Sequence, residues 1–382
     1  MTPDFSDARA ADRSRAWAAT MAGYAARDGI VTAHSEAEAL LTPAQPNGRA
    51  AREDLEERLL AGGATRANDA GDRVRPEQPD QERTCFERDR DRVLHSAAFR
   101  RLAGKTQVFV FPADHQRTRL THALEVAQVA ASIARATGLN VALTEAIALG
   151  HDCGHGPGGH ASEIAFDSYV PEGYDHAVWG ADVVLAPLNL CRETLDGIRN
   201  HSWSRPAPAT PEGSVVSWAD RIAYSAHDLE DAVHAGVVRL ADLPDEVARG
   251  CGRTRGQQLE TFIHAVVDCA SATGVVGMRD EPAALLAGLR AFNYKRIYAR
   301  PESQAQSAAV VSVLCALVEH YAAHPHVLPE PAPAPPGSSA AVRAAVAYVA
   351  GMTDRYAFDA AVRELDWDRD RLPRGIDSPS AG

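Results

Sequence analysis

Apolar residues recur along most of this chain at three- and four-residue spacing, the period of one helical face, and strict alternation is rare. From residue 85 onward that period predicts a series of helices. The run RDRDRVLHSAAFRRLAG predicts an amphipathic helix with Val93, Leu94, Ala97, Ala98 and Leu102 toward the core, ended by Gly104. The apolar run QVFVF before Pro112 predicts a brief strand. Further helices are predicted over 117–137 (closed by Gly138), 142–151, 161–169, 214–235, 259–272, 282–299 and 340–358. The Pro-rich stretch HPHVLPEPAPAPPGSS cannot be helix and is read as a connection, and RLPRGIDSPSAG as a loose tail. The apolar residues are mostly Ala, Val and Leu, so the predicted fold class is all-α.

The first 82 residues differ. They are polar and charged, and GGATRANDAGDRVRPEQPDQER reads as a flexible segment without a core of its own. Two short patterns there, Arg13–Ala26 and Arg49–Leu60, are candidate helices. The expected organisation is an arm over 1–82, a helical domain over 83–365 with its core about 115–235, and a tail over 366–382. No internal repeat is visible.

Composition narrows the function. With 382 residues, 45% hydrophobic, the chain can bury a sizeable core. It lacks the run of about twenty uninterrupted apolar residues that a membrane span needs. Acidic residues near the start do not suit a signal peptide, so a cytoplasmic location is expected. Six scattered cysteines without a CxxC pair are read as reduced thiols. The net charge of −12 argues against a protein that coats nucleic acid. An anionic substrate would have to be met by a local basic pocket.

The chemistry concentrates in a few words. His151-Asp152 closes an apolar helix just before the glycine-rich turn DCGHGPGGH. A helix end supplies the bend that lets adjacent side chains face one ion, and imidazole with carboxylate suits Mn²⁺, Fe²⁺, Co²⁺, Ni²⁺ or Zn²⁺. Upstream, Arg119 and His122 are three apart and share a helix face. Downstream, Asp220, Tyr224 and Asp228 form one stripe, with Trp218, Ile222 and Leu229 roughly opposite. By periodicity alone such a stripe is equally the solvated face of an amphipathic helix, and His122 a structural histidine.

The ordered pattern His122, His151-Asp152, Asp220 resembles the H…HD…D signature of the HD metal-dependent phosphohydrolases. The words FRRLAGKTQVF, RLTHALEVAQ, HDCGHGPGGHASE, ADRIAYSAHDLEDA and AGMTDRYA are similar, in order, to the deoxyguanosinetriphosphate triphosphohydrolase (dGTPase-like) family across about residues 85–360. The resemblance implies an HD-domain helical fold with additional C-terminal helices. It implies that His122, His151, Asp152 and Asp220 bind a divalent metal ion (Mn, Fe, Co or Mg) and that His160 and Glu163 form an acid/base dyad. It further implies that Arg119, His155 and Arg221 meet the phosphates, while Tyr224 and Asp228 hold the sugar and exclude a 2′-hydroxyl. The implied reaction is hydrolysis of a deoxynucleoside triphosphate, dGTP or dNTPs generally, to deoxynucleoside and inorganic triphosphate. A homo-oligomer, hexamers being common among relatives, is the implied assembly.

One departure stands inside the loop: Gly158 occupies a position where relatives commonly carry Phe, which predicts a looser loop or a wider pocket. Asn293–Tyr298 and Asp354/Tyr356 also match family words, as pocket, subunit-contact or core residues. Two other functions fit the same signature: an HD phosphohydrolase acting on another nucleotide, and a nucleotide sensor with little turnover.

Overall fold

A computed structural model of the chain describes residues 7–25, 29–35, 41–42, 44–112, 114–330 and 334–375. Contacts divide it into two units, Met1–Pro46 and Asn47–Gly382. The first carries helix α1 (Asp7–Ala19) and a two-residue antiparallel pairing of β1 (Tyr24–Ala25) with β2 (Val31–Thr32). The helix expected over Arg13–Ala26 therefore stops seven residues early, at a turn where Gly23 has φ +70° and leads into β1. Ala26 lies outside the described residues.

The second unit is helical throughout, with no named strand among its described residues. Its first element, α2 (Arg49–Leu59), lies where the pattern put it. Residues 60–82, expected to be flexible, are instead pinned against the helices. The buried Glu212 carboxylate accepts from the Thr65 N–H (3.0 Å) and hydroxyl (2.7 Å) and from the Asn140 N–H (3.0 Å). Arg73 makes a buried ion pair with Asp89 at 2.6 Å, and Ala64 and Ala67 enter the core. The arm thus belongs to the main unit from residue 47 on.

Helix α3 (Cys85–His95) ends at Ser96, whose extended backbone and side chain cap a new short helix, α4 (Ala97–Arg101), by accepting from the Phe99 N–H. That kink overrides the single amphipathic helix expected there: Phe86, Val93, Ala98, Phe99 and Leu102 are buried, whereas Leu94 and Ala97 are exposed. The expected strand QVFVF is an irregular bend, preceded by the isolated Thr106–Thr118 bridge.

Six helices then frame the site. Helix α5 (Arg119–Thr137) closes on Gly138 in the left-handed region, and α6 (Val141–Gly150) packs along it with most of its residues buried. A tight loop leads to α7 (His160–Asp167) and the single-turn α8 (His176–Trp179). Helix α9 (Arg192–Arg199) precedes the long α10 (Pro211–His234), which lies against α5, α6 and α9. Thr210 caps α10 and Pro211 opens it, the preferred place for a residue without an N–H.

Helix α11 (Asp245–Gly250) packs on α13 (Asp280–Asn293), and both α12 (Arg255–Thr273) and α13 pack on α10. A π-turn over Tyr294–Tyr298 ends α13, so the helix expected over 282–299 is shorter and its last turn wider. Helix α14 (Pro301–Ala323), which the sequence reading passed over, is by length and composition the kind of helix that can cross a bilayer. Here Val310, Val313, Leu314, Leu317, Val318 and Tyr321 are buried in a second core shared with α7 and with α15 (Ser339–Ala350) and α16 (Asp354–Leu365). The single helix expected over 340–358 is therefore two, broken at residues 351–353. Asp354, the first residue of α16, is pulled inward by its side-chain bonds to Thr106 and Gly158. The Pro-rich connection includes a 3-10 turn, Pro325–Val327, and residues 376–382 of the tail lie outside the described residues.

Candidate metal centre and active site

The first core, around α3, α5, α6 and α9–α13, meets the second at the loop following α6. His151 and Asp152 sit at that helix end, His122 on the first turn of α5, and Asp220 midway along α10. Their donor atoms converge: His122 Nε2 is 3.0 Å from Asp220 Oδ1, and His151 Nε2 is 3.7 Å from the same oxygen and 3.5 Å from Asp152 Oδ1.

His151 tests whether this cluster suits a cation. Its Nδ1 lies 2.6 Å from the Ala148 carbonyl oxygen, which only accepts, so Nδ1 carries a hydrogen and, in the neutral ring, Nε2 presents a lone pair. That nitrogen is fully buried, has no hydrogen-bond partner, and faces two carboxylates. A buried lone pair opposite carboxylate oxygens requires a positive charge between them, and two imidazoles with two carboxylates are a donor set for a divalent ion. The residues present fit a metal.

The electrostatics agree. Burial would raise the Asp152 carboxyl, but Arg119 and the nearby imidazoles hold it well below the usual range. Asp220, half-buried, is held below its usual range by His122 and His151 against the opposing effect of burial. Arg119 donates through one terminal nitrogen to Asp152 Oδ2 at 2.7 Å, while its Nε and second terminal nitrogen lack a partner. Two buried guanidinium donors thus remain for an anion.

His160 stands at the start of α7, largely exposed to the cavity, with Nδ1 2.7 Å from Glu163 Oε2. The other oxygen of Glu163 lies 2.7 Å from Nδ1 of His176. Burial opposes the charge on Glu163, yet its two histidine partners keep it deprotonated, well below the usual range. His155 is buried and stacks on His176 with ring centroids 3.7 Å apart; burial and the neighbouring Arg119 push its pKa well down.

The glycine-rich loop is shaped by contact as much as by freedom. At Gly154 an added Cβ would stand 1.9 Å from the His176 carbonyl oxygen. Gly158 has φ +72°, and an added Cβ would lie 2.4 Å from Val310 Cγ1. The space that a larger residue would take is filled by Val310. The loop is also tied down: Asp354 accepts from the Gly158 N–H at 2.9 Å, and the buried Lys105 ammonium donates to the His155 and Ala350 carbonyls. Gly158 therefore goes with a packed, anchored loop rather than a loose one.

On α10 the stripe faces a cavity of about 920 Å³ that also takes in His122, Asp152, His155 and His160. Tyr224 accepts from Arg290 Nε at 2.7 Å. Asp228 is buried and accepts from the Tyr298 hydroxyl, leaving its other oxygen unpartnered; burial pushes its pKa up to about 7. Arg221 stacks on Trp203 at 3.3 Å from the ring centroid. Arg290, Arg300 and Arg374 also line the cavity, supplying a basic pocket within an acidic chain.

Residues 119–225 match the HD domain, and residues 276–363 match the phosphohydrolase-associated domain. A deoxyguanosinetriphosphate triphosphohydrolase-like protein of Caldanaerobacter subterraneus subsp. tengcongensis is 39% identical over 312 residues, 80% of this chain and 92% of its own. The chain belongs to the dGTPase-like family of HD-domain phosphohydrolases. Family members of the same name from Clostridium tetani and Geobacter sulfurreducens are 35% and 34% identical over 80% of this chain, covering 92% and 94% of theirs. Among solved structures, a hypothetical protein from Aquifex aeolicus aligns over 74% of this chain and 69% of its own with a TM-score of 0.46 and 16% identity.

Two functional candidates escaped the sequence reading. His176 follows the Asp175 cap of α8, and His201 follows the last turn of α9; both are buried beside the metal cluster. Nothing in YDHAVW or RNHSW distinguishes them among fifteen histidines. The only local signal is position at a helix end, which His151 shares.

Proposed function

We propose that the chain hydrolyses deoxynucleoside triphosphates to deoxynucleoside and inorganic triphosphate, using a divalent metal held by His122, His151, Asp152 and Asp220. The observation carrying this reading is that one cavity joins the His/Asp cluster, the His160–Glu163 pair and the Asp220–Tyr224–Asp228 stripe. When bound, the ion withdraws charge from a phosphate oxygen and acidifies water. The rest falls to the protein's own groups.

Arg119 offers its two unpartnered donors to the phosphates, with Arg221 and Arg290 further along the cavity. Asp228 accepts the 3′-hydroxyl through its free oxygen. The Tyr224 ring, fixed by Arg290, fills the side where a 2′-hydroxyl would project. Steric exclusion there selects deoxyribose.

Water oxygen bonds to the α-phosphorus, the bond from phosphorus to O5′ breaks, and O5′ leaves with a proton. His160 is the donor: Glu163 fixes Nδ1–H, so Nε2 is directed to the cavity and delivers the proton. The water's own proton passes to solvent.

Purified protein with Mn²⁺ and each dNTP tests the reading. Tripolyphosphate should form with at least one dNTP, and Asp152→Ala should abolish it. Release of pyrophosphate would overturn the reaction class. Binding of dNTPs without turnover would leave a nucleotide sensor.

A further inference from the structure

A second cavity of about 480 Å³ adjoins the first, and Trp203, Arg221, Arg290 and Tyr294 line both. Its other walls are the Trp218 ring on α10 and the face of α13 that carries Ala283, Ala287 and Ala291 at four-residue spacing. Small side chains on that face leave open a space that larger ones would fill. The volume falls among the roughly 300–1,000 Å³ of small-molecule sites.

Aromatic rings set the character of this space. Trp203 is fixed by its indole N–H, which donates to the Ser217 carbonyl at 3.1 Å, and it meets Trp218 edge to face with ring centroids 4.7 Å apart. Arg221 lies on the Trp203 ring, and its Nε is buried without a partner. Trp203 and Tyr294 are still 47% and 63% exposed, ring surface for which an unsubstituted triphosphate has no use. Because Arg221 and Arg290 belong to both cavities, a phosphate chain that reaches them has its far end at the border of the second.

We propose that this second cavity takes a planar aromatic group carried on the terminal phosphate, so that the chain also hydrolyses γ-esterified deoxynucleoside triphosphates. This inference rests on the functional reading above and widens its substrate class. Dinucleoside triphosphates, in which a second base lies beyond the phosphates, are nucleotides of that class. The bond changes are the same: water oxygen bonds to the α-phosphorus, the bond to O5′ breaks, and the deoxynucleoside leaves with a proton. The triphosphate keeps its ester, and the remaining water proton passes to solvent. Esterification removes one negative charge from the group that Arg221 and Arg290 meet, and stacking on the exposed rings offsets that loss, ring on ring being worth roughly tenfold in affinity.

Each dNTP, its γ-methyl ester and its γ-phenyl ester test this, by turnover with Mn²⁺ and by calorimetric titration into the inactive Asp152→Ala chain. The two esters carry the same charge and differ in the ring. The proposal expects kcat/KM and affinity for the phenyl ester about tenfold above those for the methyl ester. Ala287 is exposed on α13 and lines the second cavity but not the first. Ala287→Leu should therefore erase the preference and leave turnover of the unesterified dNTP within about twofold. A phenyl ester no better than the methyl ester, or a preference that survives in both Ala287→Leu and Ala287→Trp, overturns the proposal. Turnover of a dNTP without turnover of its phenyl ester overturns it too, and leaves the functional reading standing. No turnover of any dNTP overturns that reading and this activity with it. Should both variants fail to fold, the comparison of the two esters in the parent chain decides.

Discussion

The guanidinium of Arg119 lies 2.7 Å from Asp152 Oδ2, and both side chains are almost wholly removed from solvent. The pair holds Asp152 deprotonated inside the protein, the state a metal ligand needs. Removing one member of a buried pair leaves an uncompensated charge, at a cost of about 3–5 kcal/mol. Arg119→Ala should lower the unfolding free energy of the metal-free protein by that order, read from denaturant midpoints. A loss below about 1 kcal/mol would mean that Asp152 does not depend on Arg119.

Gly158 offers a second check. A side chain there would be strained by φ +72° and would meet Val310 at 2.4 Å. Gly158→Ala should cost about 1–3 kcal/mol, and adding Val310→Ala should not restore it fully, since the backbone strain persists. Full recovery in the double variant would mean that crowding alone constrains the loop.

The buried Asp228 has a pH signature. Its pKa rises from 3.8 to about 7, so the folded state keeps a proton that the unfolded chain loses. Stability contributed by this group is therefore present below about pH 4 and falls as pH rises toward 7, by up to about 4 kcal/mol at about 1.4 kcal/mol per unit. The depressed carboxyls Asp152, Glu163 and Asp220 act in the opposite sense and below this window. Thermal unfolding of Asp228→Asn should lose this part of the decline between about pH 4 and 6; an unchanged profile would remove Asp228 as its source.

Helical periodicity made most of the fold legible, because α5, α6, α10 and α12 bury continuous apolar faces. It failed where a local bond outbids the period. Ser96 caps a new helix inside an amphipathic run, and Asp354 turns inward to the loop instead of extending α15. The stretch 60–82 is ordered by partners far away in sequence, Glu212 and Asp89, and carries no period of its own. At the site, the residues singled out by family words do converge, whereas His176 and His201 become visible only when α8 and α9 fold against the cluster.

Tyr224 should govern sugar choice. If its ring fills the 2′ side, Tyr224→Ala raises kcat/KM for ribonucleoside relative to deoxynucleoside triphosphates by roughly tenfold, worth about 1.4 kcal/mol. Steady-state assays with dGTP and GTP would show it. An unaltered ratio would assign sugar selection elsewhere.

The central claim is water attack at the α-phosphorus with loss of O5′. Turnover of a dNTP in ¹⁸O-labelled water with Mn²⁺, followed by phosphorus NMR and mass spectrometry, reads it directly. The account predicts tripolyphosphate carrying one ¹⁸O on a terminal phosphorus and an unlabelled deoxynucleoside. Label in the deoxynucleoside, or pyrophosphate or orthophosphate in place of tripolyphosphate, would contradict it.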